Sequence, residues 1–356
     1  MRILFGPEDD HRQTPFPAPP GAYEWWYFDA LSSDGRYAVV AIFFLGSPMT
    51  PYYKAVVDGK KPDPMDWCGV FFTLHEKIGE TWNERAYAYN LYRGGEFSAE
   101  RPEADIGDST MTFDGDETWT LSVQERGLWN QSVKAELRFS LKGAPLRLPA
   151  FGTEETEARH TWVCVAPLCR VQATIGGTTF QGQGYHDHNF GLLPYDEIET
   201  WYWVYAPLKC SDGKDRFCLL YYLPETMTPW DGVLLLLDDE GTVLTQPQET
   251  DIMLAGPRRG RYGFTYCREL EWKSGSGGTN PQFYGAARLK AFEGSFSEGP
   301  FYVRLPAHIH AAESSNGEVV WTGHGEGIGE VFRPFRLCGP IASRAMWSRI
   351  RRRNRP

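Results

Sequence analysis

Apolar residues fall in short runs along the chain, several alternating with polar ones at period two, and Gly or Pro interrupts them about every 10–15 residues. "RYAVVAIFF" (36–44), "WCGVFFTL" (67–74), "TWTLSV" (118–123), "VKAELRFSL" (133–141) and "RVQATI" (170–175) are rich in β-branched and aromatic residues, as strands are. No long stretch keeps a helical period. The pattern predicts a mainly β protein.

A repeat within the pattern sharpens that reading. "EWWYFDA" (24–30) is followed by Asp34-Gly35 and an apolar strand. "TWYWVYA" (200–206) is followed by Asp212-Gly213 and "RFCLLYYL" (216–223). The closing stretches "GQGYHDHNFG" (182–191) and "GHGEGIGEVF" (323–332) correspond loosely. Each half has the size and pattern of an up-and-down barrel, so two tandem lipocalin-like antiparallel β-barrel domains are expected. The limits are 1–194 for an N-terminal domain, 195–340 for a C-terminal one and 341–356 for a basic tail. The boundary lies near "LLPYDEI" (192–198).

Composition narrows the function. Thirteen Trp, 18 Tyr and 21 Phe give 15% aromatics, enough to line a cavity for a large apolar ligand. A net charge of −10 argues against a nucleic-acid partner. The exception is "SRAMWSRIRRRNRP", which contains Arg344, Arg349, Arg351, Arg352, Arg353 and Arg355. It reads either as a solvated, disordered terminus or as a peripheral membrane contact, with Trp347 and Ile350 dipping into the interface. The start resembles no signal peptide, and no apolar run is long enough to span a membrane. Seven Cys without a CxxC read as reduced thiols. A cytoplasmic protein is expected, peripheral at the inner membrane face if the tail binds lipid. "WKSGSGGTN" (272–280) lacks the Lys-Ser/Thr and the helix of a phosphate loop, and reads as a flexible loop.

Chemistry concentrates in "QGQGYHDHNFG" (181–191). On an extended strand Tyr185, Asp187 and Asn189 share one face, and His186 and His188 the other. The two histidines would need a third metal ligand such as His160. HxH without a Cys/His cluster is a weak metal pattern, so no metal and no cofactor is expected. A carboxylate facing an aromatic cavity is desolvated, which raises its pKa and makes it a Brønsted acid. The alternative is a turn in which Asp187 and Asn189 bond backbone amides. "EWWY" places Trp25 and Tyr27 on one face and Trp26 and Phe28 on the other. Either face closes a barrel or stabilises a cation. "RHTWVCVAP" adds His160 and Trp162, two apart on one face.

Together "PPGAYEWWYFDALSSDG" (19–35), "GSPMTPYY" (46–53), "DPMDWC" (63–68), "RHTWVCVAPLCRV" (159–171) and "GQGYHDHNFG" (182–191) resemble the carotenoid 1,2-hydratases, or hydroxyneurosporene synthases, in family order over roughly residues 16–206. The resemblance implies two lipocalin-like domains and cofactor-free addition of water to a terminal isoprenoid double bond. It implies that Asp187 protonates the alkene. Trp162, Tyr185 and Trp25 would stabilise the tertiary cation, and His160 or Tyr185 would orient the attacking water. Trp26, Tyr27, Trp201, Trp203, His188 and Asn189 complete the expected ligand contacts. His188 stands where the hydratase pattern has Ser. The same fold class implies two other functions: a cyclase or Diels–Alder-type pericyclase acting on a polyene, and a non-catalytic lipid or pigment carrier.

Overall fold

The structure is a computed structural model that describes residues 1–127, 130–154, 158–195, 198–224, 232–245, 250–274, 281–290 and 296–353. Residues 275–280 of the glycine-rich loop, and Arg355, lie outside them. The chain forms two compact units. The first is Met1–Gly79, Asn83–Asp196 and Leu337–Pro356, and the second is Glu80–Trp82 and Glu197–Arg336. The class is mainly β.

Each unit is a curled antiparallel meander in which the opening strand pairs with the closing one. In the first, adjacent strands run Cys68–Ile78, Tyr37–Leu45, Ala22–Ser32, Thr178–Leu192, His160–Ile175, Ser132–Leu141, Thr118–Arg126 and Ser109–Phe113. In the second they run Gly232–Asp238, Asp215–Tyr222, Trp201–Cys210, Glu318–Phe332, Tyr302–Ser315, Gln282–Leu289, Thr265–Ser274 and Thr250–Arg259. The sequence repeat is thus a repeat of eight-strand order. Among the described residues the first sheet ends at Arg351–Arg352, which pairs with Thr81–Tyr92, and the second ends at Gly232–Asp238.

The repeated G-x-G has a steric cause. A Cβ on Gly182 would lie 2.1 Å from the Leu31 carbonyl oxygen, and one on Gly184 2.6 Å from that of Asp29. In the second unit Gly325 meets the Pro207 oxygen at 1.8 Å and Gly327 the Tyr205 oxygen at 1.8 Å. The closing strand therefore lies too close to the opening strand for any side chain at these points.

The first unit's strands differ in how many faces they bury. Ser132–Leu141 alternates buried and exposed residues along most of its length, with one face in solvent. Ala22–Ser32 and the first ten residues of His160–Ile175 are almost entirely buried on both faces. One face, carrying Trp26, Phe28, Phe43, Trp119 and Val163, fills the barrel core. The other, carrying Trp25, Tyr27, Asp29, Tyr185 and Asp187, is equally buried but lies outside that core cluster.

The N-terminal segment threads into the core face on buried charges. Asp10 accepts Trp26 Nε1–H on its backbone oxygen at 2.7 Å and Trp119 Nε1–H on Oδ2 at 2.8 Å. His186 Nε2 lies 2.9 Å from the same Oδ2. Glu24 accepts the amides of Gln13 and Thr14 and lies 2.8 Å from His188 Nε2. Burial alone lowers the pKa of His188, but its bond to Glu24 and the charges of Glu24 and Asp10 outweigh burial and hold it above the usual value.

The C-terminal segment is ordered and packed, which corrects the reading of it as a solvated terminus. Pro340–Arg349 is helical, and Arg351–Arg352 pairs with Thr81–Tyr92. Arg349 bonds Glu84 at 2.7 Å and lies 3.7 Å from the Tyr87 ring centroid, and Arg352 lies 4.2 Å from that of Trp67. Ile350 is buried and so does not reach an interface, whereas Trp347 and Ile341 are exposed. All seven cysteines are free thiols. No helix among the described residues is long and apolar enough to cross a membrane.

Candidate active site

Strand register places Asp187 in the middle of a cross-strand row. Cys164, Asp187, Tyr27 and Ile42 stand side by side on four neighbouring strands. The next row is Trp162, Asn189, Trp25 and Phe44, and on the other side Tyr185 faces Asp29 and Val40. Residues two apart share a face, so these rows make one patch on the side away from the barrel core.

Three donors converge on the Asp187 carboxylate. Trp162 Nε1–H donates to Oδ2 at 3.0 Å and the Tyr185 hydroxyl to the same oxygen at 2.9 Å, while Asn189 Nδ2 donates to Oδ1 at 2.8 Å. A second buried carboxylate stands beside them. Asp29 Oδ2 accepts the Tyr27 hydroxyl at 2.8 Å, and the Tyr27 and Tyr185 rings meet edge to face at 6.2 Å. Burial, aided by the charge of Asp187, pushes the Cys164 thiol well above its usual value against an opposing bond to Tyr185. Cys164 is therefore a neutral neighbour.

His160 stands apart from this convergence. Its backbone is four residues from Cys164 on the same strand, about 13 Å at the rise of a β-strand. Its Nδ1 lies 2.5 Å from the Tyr23 hydroxyl, and its ring stacks on Trp25 at 5.9 Å and meets Tyr195 edge-on at 5.7 Å. Burial, with the N-terminal ammonium as a further cause, lowers its pKa to about 3. The imidazole is neutral at neutral pH and belongs to an aromatic cage at the end of the patch.

The structure thus brings together Asp187, Tyr185, Trp162, Asn189, Trp25 and Tyr27. Trp26 and His188 do not join them, which corrects their place among the expected ligand contacts. They stack on each other at 4.7 Å on the core face, where their polar atoms bond Asp10, Asp9 and Glu24. His186 likewise bonds Tyr27 O and Asp10 through its two nitrogens. Among the described residues no group of three or more His, Cys, Asp or Glu could hold a metal ion.

Trp201 and Trp203 lie on the second unit's opening strand, on the face opposite its core cluster. There Trp203 pairs with Glu330 as Tyr27 pairs with Asp187. Glu330 in turn faces Arg304, with Nε 3.1 Å from Oε1 and both groups largely buried. The repeat-related carboxylate is therefore tied up in an ion pair, while that of the first unit is held by neutral donors.

The chain matches the family model of the carotenoid hydratase CrtC over residues 41–243. It belongs to that family. The match includes Trp162, Tyr185, Asp187 and Asn189 but begins after Trp25, Tyr27 and Asp29. The chain is 33% identical over 207 residues to an acyclic carotenoid 1,2-hydratase of Thiocapsa roseopersicina, covering 56% of this chain and 47% of that one. It thus spans about half the length of that relative. It is 26% identical over 364 residues to a hydroxyneurosporene dehydrogenase of Chlorobaculum tepidum, covering 92% and 85%. A crystal structure assigned as AttH from Nitrosomonas europaea shares the fold at a TM-score of 0.54, with 13% identity, covering 92% of this chain and 96% of that one.

Within the candidate site the residues that the sequence did not single out are Asp29, Tyr23 and Cys164. Parity carried the signal for Asp29, which lies two residues beyond Tyr27 and so shares its face.

Proposed function

We propose that the chain adds water to a terminal isoprenoid double bond of a carotenoid-like polyene, without a cofactor, with Asp187 as the proton donor. Asp187 delivers its proton to the less substituted alkene carbon. The tertiary cation formed is stabilised by the ring faces of Trp25, Tyr27 and Trp162. Water then adds to the cation and loses a proton, which gives a tertiary alcohol.

One observation carries this reading: a buried carboxyl held by three neutral donors within an aromatic patch. Dry surroundings favour the neutral acid before transfer, and the donors favour the anion after it. The same shell therefore serves both ends of the proton transfer. The hydratase relatives support the substrate class. His160, neutral and held by Tyr23, sets the position of Trp25 in the cation wall.

The test is steady-state turnover of neurosporene and lycopene in detergent by wild type and Asp187→Asn. Loss of at least about 100-fold in the variant, with the fold intact, supports general-acid catalysis. Equal turnover contradicts it. Delivery of such a substrate from a lipid phase would use the exposed Trp347 and Ile341. Flotation with anionic vesicles that is lost in Trp347→Ser supports that contact, and flotation that persists contradicts it.

A further inference from the structure

Hydration needs a group that gives a proton to carbon and a group that takes one from water. Asp187 fills the first role in the proposed hydration, and an occupant of the second role has meaning only if that reaction takes place. The patch holds a second carboxylate in a matching setting. Asp187 and Tyr185 lie two apart on one strand, and Tyr27 and Asp29 lie two apart on its antiparallel neighbour. Across the pair Asp187 faces Tyr27 and Tyr185 faces Asp29. Each tyrosine donates its hydroxyl to the carboxylate on its own strand, at 2.9 Å and 2.8 Å. The four side chains form a square with the carboxylates on one diagonal, where backbone positions are roughly 7–8 Å apart. Asp29 is fully buried.

We infer that Asp29 is the general base of the site, taking the proton of the attacking water while Asp187 supplies the proton to the alkene. The balance closes. The Asp187 O–H bond breaks as a C–H bond forms at the alkene. Water oxygen then forms a C–O bond to the cationic carbon, and one of its protons passes to Asp29. The enzyme is left with Asp187 ionised and Asp29 protonated. The Tyr27 and Tyr185 hydroxyls, at the other two corners, offer the route by which the proton returns. No oxidant, reductant or metal is needed. The titratable side chains facing the pair are Tyr27 on the Asp29 strand, Tyr185 on the Asp187 strand and Cys164 on the strand beyond, while Cys169, on the core face of that strand, is close enough to feel the charge of Asp29.

The experiment compares wild type, Asp29→Asn, Tyr27→Phe and Asp187→Asn with neurosporene in deuterium oxide, reading both alcohol formed and deuterium in the recovered alkene. In Asp29→Asn alcohol formation is expected to fall by at least about 100-fold. Deuterium exchange should persist, because Asp187 still protonates the alkene and takes the proton back. Asp187→Asn should lose both, and Tyr27→Phe, which keeps Asp29 in place, should lose alcohol formation only in part. Undiminished hydration by Asp29→Asn overturns the inference, and so does loss of exchange together with hydration in a folded variant.

An infrared titration of the protonated-carboxyl band, without substrate, separates this inference from the hydratase reading. Asp29→Asn should move the Asp187 midpoint downward, because a like charge has been removed. An unmoved midpoint overturns the couple. Wild type that neither hydrates nor exchanges overturns the hydratase reading and with it the base role of Asp29, and a midpoint shifted in Asp29→Asn then supports only the charge coupling of the two carboxylates.

Discussion

Trp162 and Asp187, on adjacent strands, are joined by a hydrogen bond of 3.0 Å from the indole Nε1–H to Oδ2. A tryptophan among aromatic rings is first read as a π-face, but here its N–H is aimed at the Asp187 carboxylate. Trp162→Phe keeps an aromatic ring and removes the donor. Turnover is expected to fall by about 10–100-fold, or roughly 1.4–2.7 kcal/mol of barrier, with little change in KM. A rise in KM at constant kcat would make Trp162 a binding wall only.

The buried, neutral His160 makes stability depend on acid. Its folded pKa, near 3, lies below its unfolded value of about 6.5. The unfolded chain therefore binds the proton first, and stability from this group is lost as pH falls from about 6.5 toward about 3. The slope is at most about 1.4 kcal/mol per pH unit. Urea unfolding at pH 7, 6, 5 and 4 should show that slope in wild type and a flatter one in His160→Gln. Parallel profiles would remove His160 as the cause.

His188 works in the opposite sense. Its folded pKa is raised, so its stabilising link to Glu24 is complete below its unfolded value and is lost as pH rises through the folded one. Glu24→Gln breaks the buried pair and should destabilise the first unit by roughly 3–5 kcal/mol. Because glutamine keeps only one acceptor oxygen, it should also release the Gln13 or the Thr14 amide, which hydrogen exchange would detect as faster exchange confined to that segment. Unchanged protection there would mean that the Asp10 bonds alone hold the segment.

The C-terminal segment is held by cations on rings and by the Arg349–Glu84 ion pair. Combined Arg349→Ala and Arg352→Ala should lower stability by about 1 kcal/mol and speed proteolysis beyond Leu337, since each exposed cation–π contact contributes roughly 0.5–1 kcal/mol. Proteolysis at the wild-type rate would show that Ile350 and the strand at Arg351–Arg352 are sufficient.

Parity along the strands makes much of this legible from the sequence. Alternation puts Tyr185, Asp187 and Asn189 on one face, and Trp25 apart from Trp26. What alternation does not say is which face is the barrel core when both are buried, as they are along Ala22–Ser32. That is decided by Asp10 and Glu24, whose carboxylates bond His186 and His188 and so claim one face for the interior. Without that long-range information Trp26 and His188 read as part of the ligand wall. Asp29 escapes notice because it closes an aromatic run, and its value depends on facing Tyr185 from a strand about 150 residues away. The arginine tail has no local sign of docking, because its partners Glu84, Tyr87 and Trp67 are more than 250 residues distant.

The most direct measurement is mass spectrometry of the product formed from neurosporene by the purified chain in heavy-oxygen water, wild type beside Asp187→Asn. Expected is a tertiary alcohol carrying one labelled oxygen, formed by wild type and absent with the variant. Bound but unchanged polyene in both, or an isomer with no added oxygen, would contradict hydration and point to a carrier or a cyclase.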